Sequence, residues 1–161
     1  GQIIIDKKKV FDPSLEYLDM IYIPQDLLLT DGTIEDNIAF NQNENLDESK
    51  IQKSIELSEL SDFVNSLKHK TKQKVGEFGG KLSGGQKQRI GIARCFYDQS
   101  DIIIFDESLN AIDEKTKSKI VSNIFNHLKD KTIIFITHDI DFSKYFEKKF
   151  ILKNGKLELL N

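Results

Sequence analysis

The sequence predicts an α/β fold built on a mostly parallel sheet. Apolar runs at residues 19–23, 102–105 and 131–137 have the length of buried strands, and each stops at a polar residue or a proline. Between the second and third runs, Ile120, Val121, Ile124, Phe125 and Leu128 recur at helical spacing, so one side of that helix packs on a sheet. Strand, helix, strand makes a βαβ unit with a parallel pair.

Bulk properties narrow the class. The 161 residues suffice for one domain with a sizeable core, and 39% hydrophobic with 30% charged residues is an ordinary globular composition. A net charge of -3 offers no basic footprint for nucleic acid. The one cysteine, Cys95, cannot form an internal disulfide, fits a reducing compartment and reads as core filler. No apolar run approaches the ~20 residues that span a bilayer, and no signal-peptide pattern opens the chain. Any work at a membrane would pass through a partner or a missing segment.

In chain order, an apolar strand-like run at residues 2–5 precedes Lys7, Lys8 and Lys9, which read as a solvated turn. Residues 19–23 end at Pro24, which cannot donate to a sheet ladder, and Gln25 follows. Thr33 with Asp36 three residues on has the form of a capping box and starts a short helix. Residues 41–45 are a polar loop. Asp47 caps a helix that buries Ile51, Ile55 and Leu57, and a second short helix carries Leu60, Phe63, Val64 and Leu67. His69 sits in a basic polar run and reads as surface, and His127 reads as a helix-border residue. Residues 74–80 form a glycine-rich connector.

Next comes Leu82-Ser83-Gly84-Gly85-Gln86, followed by the basic, helix-like run 87–94. Two glycines let an anion approach the backbone closely. Ser83 offers a hydroxyl, and the free N–H groups and dipole of a helix start favour a phosphate. A plain cap would use Ser83 too, but would need neither the two glycines nor Gln86. Residues 102–105 read as a strand buried on both faces and end in Asp106-Glu107. Acids at the carboxyl end of such a strand sit where open α/β sheets place their ligands. The βαβ crossover brings His138, after residues 131–137, to the same sheet edge as Asp106, Glu107 and Gln25. A short helix near residues 140–146 and two strands at 149–152 and 156–160, joined by the hairpin signal Asn154-Gly155, complete the chain.

Together and in this order, these motifs resemble the nucleotide-binding domain of ATP-binding cassette (ABC) transporters of the exporter type. Leu82 to Gln86 look like the signature motif, residues 102–107 like Walker B, Tyr22-Ile23-Pro24-Gln25 like the Q-loop and His138 like the H-loop. Residues 74–80 resemble the x-loop that touches transmembrane domains, and Thr33 to Phe40 resemble an exporter-type segment. Asn110-Ala111-Ile112-Asp113 falls at the D-loop, where relatives commonly read Ser-Ala-Leu-Asp. The resemblance implies ATP and Mg2+ as cofactors. Asp106 would hold magnesium through water, and Gln25 would reach the magnesium and the attacking water. Glu107 would orient and activate that water, and His138 would contact the γ-phosphate. Ser83, Gly84, Gly85 and Gln86 would close on the nucleotide of a second nucleotide-binding domain in a head-to-tail dimer, with the D-loop making contacts across it.

One motif of that family is absent. Gly80-Lys81-Leu82 and Gly155-Lys156-Leu157 lack both the hydroxyl and the upstream glycine of a P-loop. The expectation is therefore a P-loop NTPase-like ABC ATPase fold whose amino-terminal part is missing, with a small helical subdomain and signature helix at about residues 40–95 and an α/β core in the remainder. As such it would belong to the ATP-hydrolysing motor of an exporter, at the cytoplasmic face of the cell membrane, with transmembrane domains on the same parent chain. The 161 residues alone would be inactive. Two rivals are a soluble cassette ATPase acting on ribosomes or DNA, and a non-catalytic partner lending only its signature motif. The short interval from Gln25 to Ser83, with no coiled coil, speaks against the first.

Overall fold

The structure, a computed structural model, describes residues 3–5, 8–10, 19–40, 46–138 and 141–160. Strands β1 (Ile3–Ile5) and β2 (Lys8–Val10) pair antiparallel. Lys8 and Lys9 are thus strand residues rather than a solvated turn, and Lys7 lies outside the described residues. The polar loop at 41–45 also lies outside them.

Strands β3 (Met20–Ile23), β4 (Ile102–Asp106) and β5 (Thr132–Ile136) form a parallel three-stranded sheet in that order. Its register sets Ile23 beside Phe105 and Phe105 beside Phe135, so the odd-numbered side chains of all three strands share one face. That face is the core. Ile23, Ile103 and Phe105 are buried against Ile92, Cys95, Ile120, Val121 and Ile124. Phe105 and Phe135 stack at 4.5 Å between ring centroids. Phe125 extends the cluster to Tyr145 in a 3-10 helix, Asp141–Tyr145, where the short helix is expected.

The opposite face departs from expectation. Met20, Tyr22, Ile134 and Ile136 are 43%, 50%, 45% and 49% exposed, so the central strands are buried on one face and open on the other. An apolar run has the same appearance whether its second face is covered by nearby chain or by a segment from elsewhere, which is why spacing could not reveal this.

Helices α1 (Ile34–Ile38), α2 (Glu48–Leu57), α3 (Ser61–Ser66) and α4 (Gly84–Asp98) enclose a second apolar cluster running from Leu27 to Tyr97. Thr33 and Asp36 make the expected capping box of α1, and Asp47 caps α2 through the Lys50 N–H. Helix α4 serves both cores: Ile90, Ala93 and Tyr97 face the helical cluster, while Ile92, Cys95 and Phe96 face the sheet. Burial pushes the Cys95 thiol up, so it stays an inert, protonated core residue. A polar knot ties α1 to α4: Arg94 Nε donates to the Asn37 carbonyl at 2.6 Å, and Asn37 Nδ2 donates to the carbonyls of Thr30 and Thr33. Helix α5 (Glu114–His127) crosses from β4 to β5 and buries Ile120, Val121 and Ile124, leaving His127 exposed. The carboxyl end is the antiparallel hairpin β6 (Lys149–Lys153) and β7 (Lys156–Leu160), with Asn154 and Gly155 both at positive φ, the geometry of a tight primed turn.

Candidate functional site

The carboxyl end of β4 is where three functional segments meet. Glu107 follows the strand with φ 48, in the left-handed region that costs a non-glycine residue free energy. Its N–H still donates to the Ile136 carbonyl at 2.9 Å, so β5 anchors the turn while the side chain is swung away from the ladder. Both carboxylate oxygens are engaged. His138 Nε2 lies 2.9 Å from Glu107 Oε1, and Asn110 Nδ2 donates to Glu107 Oε2 at 3.1 Å. His138 is otherwise exposed, with 92% of its side chain accessible against 22% for Glu107. An imidazole nitrogen facing a carboxylate must carry the proton, which sets the His138 tautomer when the ring is neutral.

Asp106 belongs to the open sheet face. Tyr22, on the same face of β3, donates its hydroxyl to Asp106 Oδ2 at 2.6 Å. This bond, more than burial or charge, holds the Tyr22 hydroxyl above the usual tyrosine range. Nothing in the sequence marked Tyr22 beyond its place before Gln25. The parallel register supplied the contact.

Ser83 and Gln86 make a reciprocal capping box at the start of α4: the Gln86 N–H donates to Ser83 Oγ at 3.2 Å, and the Ser83 N–H to Gln86 Oε1 at 2.9 Å. This corrects the reading that a plain cap has no need of Gln86, because Ser-x-x-Gln is itself a cap pair. Gly85 also has a local reason. A Cβ there would sit 2.7 Å from the Ala111 carbonyl oxygen, closer than any side chain can approach, whereas one on Gly84 would meet only the Ala111 methyl at 3.4 Å.

The segment after Glu107 therefore links two motifs. Asn110 touches Glu107 while Ala111 packs on Gly85. Ile112 is buried, and Asp113 caps α5, with its Oδ1 accepting the Thr116 N–H at 3.0 Å. That bond holds the Asp113 carboxyl below its usual range. A carboxylate whose folded pKa is depressed contributes stability above its unfolded value, about 3.9, and loses it as pH falls through the folded value. Asp113→Asn should therefore show a shallower loss of stability below about pH 4 than the unsubstituted protein, read from thermal melts across that range.

Gln25 is exposed and joins this network through its main chain: its carbonyl accepts from Gln88 Nε2 at 3.4 Å. Gln88 went unmarked in the sequence. It is only 5% exposed, and its Oε1 accepts the Ala111 N–H at 2.9 Å. Its one available signal was positional, since Gln88 lies at i, i+4 and i+7 with the buried residues Ile92 and Cys95.

The donor set at the sheet edge fits a magnesium ion. Among the described residues no group of three or more His, Cys, Asp or Glu side chains converges, so Asp106 would be the anchoring carboxylate, and Mg2+ characteristically takes few carboxylates and keeps several waters. A groove of about 540 Å³ lined by Leu28, Leu29, Phe40 and Phe78, among others, shares no residue with this cluster. Phe78 at its rim is 62% exposed.

Comparison with known proteins agrees with the motif pattern. Residues 1–110 match the family described as "ABC transporter". The chain is 34% identical to ABC transporter B family member 29, chloroplastic, of Arabidopsis thaliana, over 100% of this chain and 26% of the relative. It is 37% identical to the Lactococcin-G-processing and transport ATP-binding protein LagD of Lactococcus lactis subsp. lactis, over 84% of this chain and 19% of the relative. A solved bacterial Atm1-family ABC exporter with ATP bound superimposes with a TM-score of 0.80 at 31% identity, covering 86% of this chain and 24% of that one. The chain thus spans about a quarter or less of the length of these relatives. The parallel sheet, the helical cluster and the motif order agree with that match, and the chain belongs to the ABC transporter family, with the P-loop NTPase-like fold of its ATP-binding domain.

Proposed function

We propose that these residues are the carboxyl part of a motor domain that hydrolyses ATP to drive export, acting in a head-to-tail pair at the cytoplasmic face of a membrane. The observation that carries the reading is the 2.9 Å contact between His138 and Glu107 at the carboxyl edge of a parallel sheet. Glu107 takes the proton of the water that attacks the γ-phosphate, as the bond from that phosphorus to the ADP oxygen breaks. His138 and Asn110 keep the carboxylate aimed, and Gln25 orients the water. A positioned base of this kind contributes about 10²–10⁴ in rate. Magnesium, when bound at Asp106, neutralises charge on the phosphate oxygens.

The signature residues Ser83, Gly84, Gly85 and Gln86 serve the nucleotide of the partner domain, to which the start of α4 offers the N–H groups of Gly84 and Gly85, those of Ser83 and Gln86 being engaged in the cap. Residues 110–113 lie against that helix and reach toward the partner. The helical cluster about α1–α4 is a subdomain joined to the sheet core by α4, which lines both. A segment carrying the P-loop covers the open sheet face beside Asp106. The groove lined by Leu28, Phe40 and Phe78 receives a transmembrane domain, which is what the exposed apolar side chains there support.

Residues 1–161 assayed alone should release no phosphate from Mg-ATP above background. Phosphoryl transfer rests on positioning and charge stabilisation, most of it from the P-loop. Each lost charge-assisted contact is worth about 1.5–3 kcal/mol, and about 1.4 kcal/mol is tenfold in affinity. Reading the gene upstream of Gly1 should reveal a P-loop and hydrophobic spans, and the purified parent chain should hydrolyse ATP. Turnover by residues 1–161 alone, or none by the parent, would overturn the assignment.

A further inference from the structure

Gln88 makes two hydrogen bonds of opposite sense, one as acceptor and one as donor. Its partner in the segment after Glu107 is a main-chain N–H, that of Ala111, which needs an acceptor. Its partner after β3 is a main-chain carbonyl, that of Gln25, which needs a donor. An uncharged side chain long enough to reach both loops and supply both functions is a primary amide, and the two partners dictate which end of the amide faces which. The group is 5% exposed, so water cannot replace either bond cheaply.

Both loops lead to the proposed reaction centre. Gln25 itself is one end of the bridge. At the other, Ala111 is pinned from two sides, by Gln88 Oε1 and by the bare α-carbon of Gly85, and the adjacent Asn110 holds Glu107 Oε2. Pro24 restricts the chain just before Gln25. One side chain on α4 thereby sets the spacing between a loop of β3 and a loop of β4, two segments joined in sequence only through the whole helical cluster.

We propose that Gln88 is a positioning residue, which clamps the Gln25 loop and the Asn110-Ala111 turn to one point of α4 and so aims Gln25 and Glu107 at the same water. This rests on the functional reading above and adds to it a residue outside the signature, Walker B, Q-loop and H-loop motifs.

Two substitutions in the full-length parent chain separate positioning from packing. Gln88→Met keeps length and apolar contact but offers neither bond. Turnover should fall roughly tenfold with the KM for ATP within about twofold, as expected for one buried N–H left unpaired. Hydrogen exchange at the Ala111 amide should quicken in the same protein. In Gln88→Glu the protonated acid can donate to Gln25 and accept from Ala111, whereas the carboxylate cannot donate. Burial raises the pKa of a carboxyl group, so activity relative to the unsubstituted chain should recover as pH is lowered from about 8.5 to about 6.

A purely structural role would lower Tm in both variants and leave that activity ratio flat with pH. A flat ratio, or Gln88→Met turning over at the unsubstituted rate, would overturn the proposal. An inactive unsubstituted chain would instead overturn the functional reading. In that case unchanged exchange at Ala111 in Gln88→Met would separately overturn the clamp.

Discussion

Glu107→Gln in the full-length parent chain is expected to lower ATP turnover by about 10²–10⁴ while ATP binding persists. The amide matches the carboxylate in size. Its oxygen can still accept from Asn110 Nδ2, now 3.1 Å away, and its NH2 can face His138 if the neutral ring turns its unprotonated nitrogen inward. The geometry survives, but the group can no longer take a proton from water. The protein should stall with ATP trapped in a closed pair of domains, measured as retained nucleotide alongside phosphate release. His138→Ala should also slow turnover, because one carboxylate oxygen loses its donor, with binding affected less. Asp106→Asn should act differently, shifting the magnesium dependence. Near-normal turnover by the Glu107→Gln protein would remove Glu107 from the chemistry.

The second large effect separates two adjacent glycines. Gly85→Ala should destabilise the protein by about 1–3 kcal/mol, the usual cost of forcing an extra methyl into a packed site. The obstacle is backbone: the new Cβ would meet the Ala111 carbonyl oxygen at 2.7 Å. Relief requires moving the very turn that carries Asn110, so turnover should fall with stability. Gly84→Ala meets only a methyl at 3.4 Å, an ordinary contact, and both glycines already lie in helix α4. Its stability should be unchanged or slightly higher, since alanine is the better helix former. Any loss of turnover in Gly84→Ala would then report the approach of a phosphate rather than damage to the fold. Urea unfolding of the two variants, run beside the ATPase assay, checks this. Equal stability for both would show that the segment after Glu107 does not rest on Gly85.

Much of the architecture was already written in local patterns. The apolar runs that became β3, β4 and β5, the capping box of α1, the Asp47 cap and the Asn154-Gly155 turn all depend on residues within a few positions of one another. The edge that gathers Glu107 and His138 followed from strand, helix and strand in succession, because a crossover of that kind returns parallel.

The parts that misled or stayed silent depend on distant partners. Gln88 bonds to residues 23 and 63 positions away, Tyr22 reaches across 84 positions to Asp106, and Gly85 is shaped by a carbonyl beyond β4. The chain by itself determined which segments are strands and helices, which face of each helix is apolar and which acids end a strand. Only the tertiary structure decided which sheet face stays open, that Gln86 completes a helix cap and that a buried amide joins two loops. A hydrophobic period records that a side chain is removed from water, whereas a hydrogen bond depends on which donor and acceptor the fold sets about 3 Å apart.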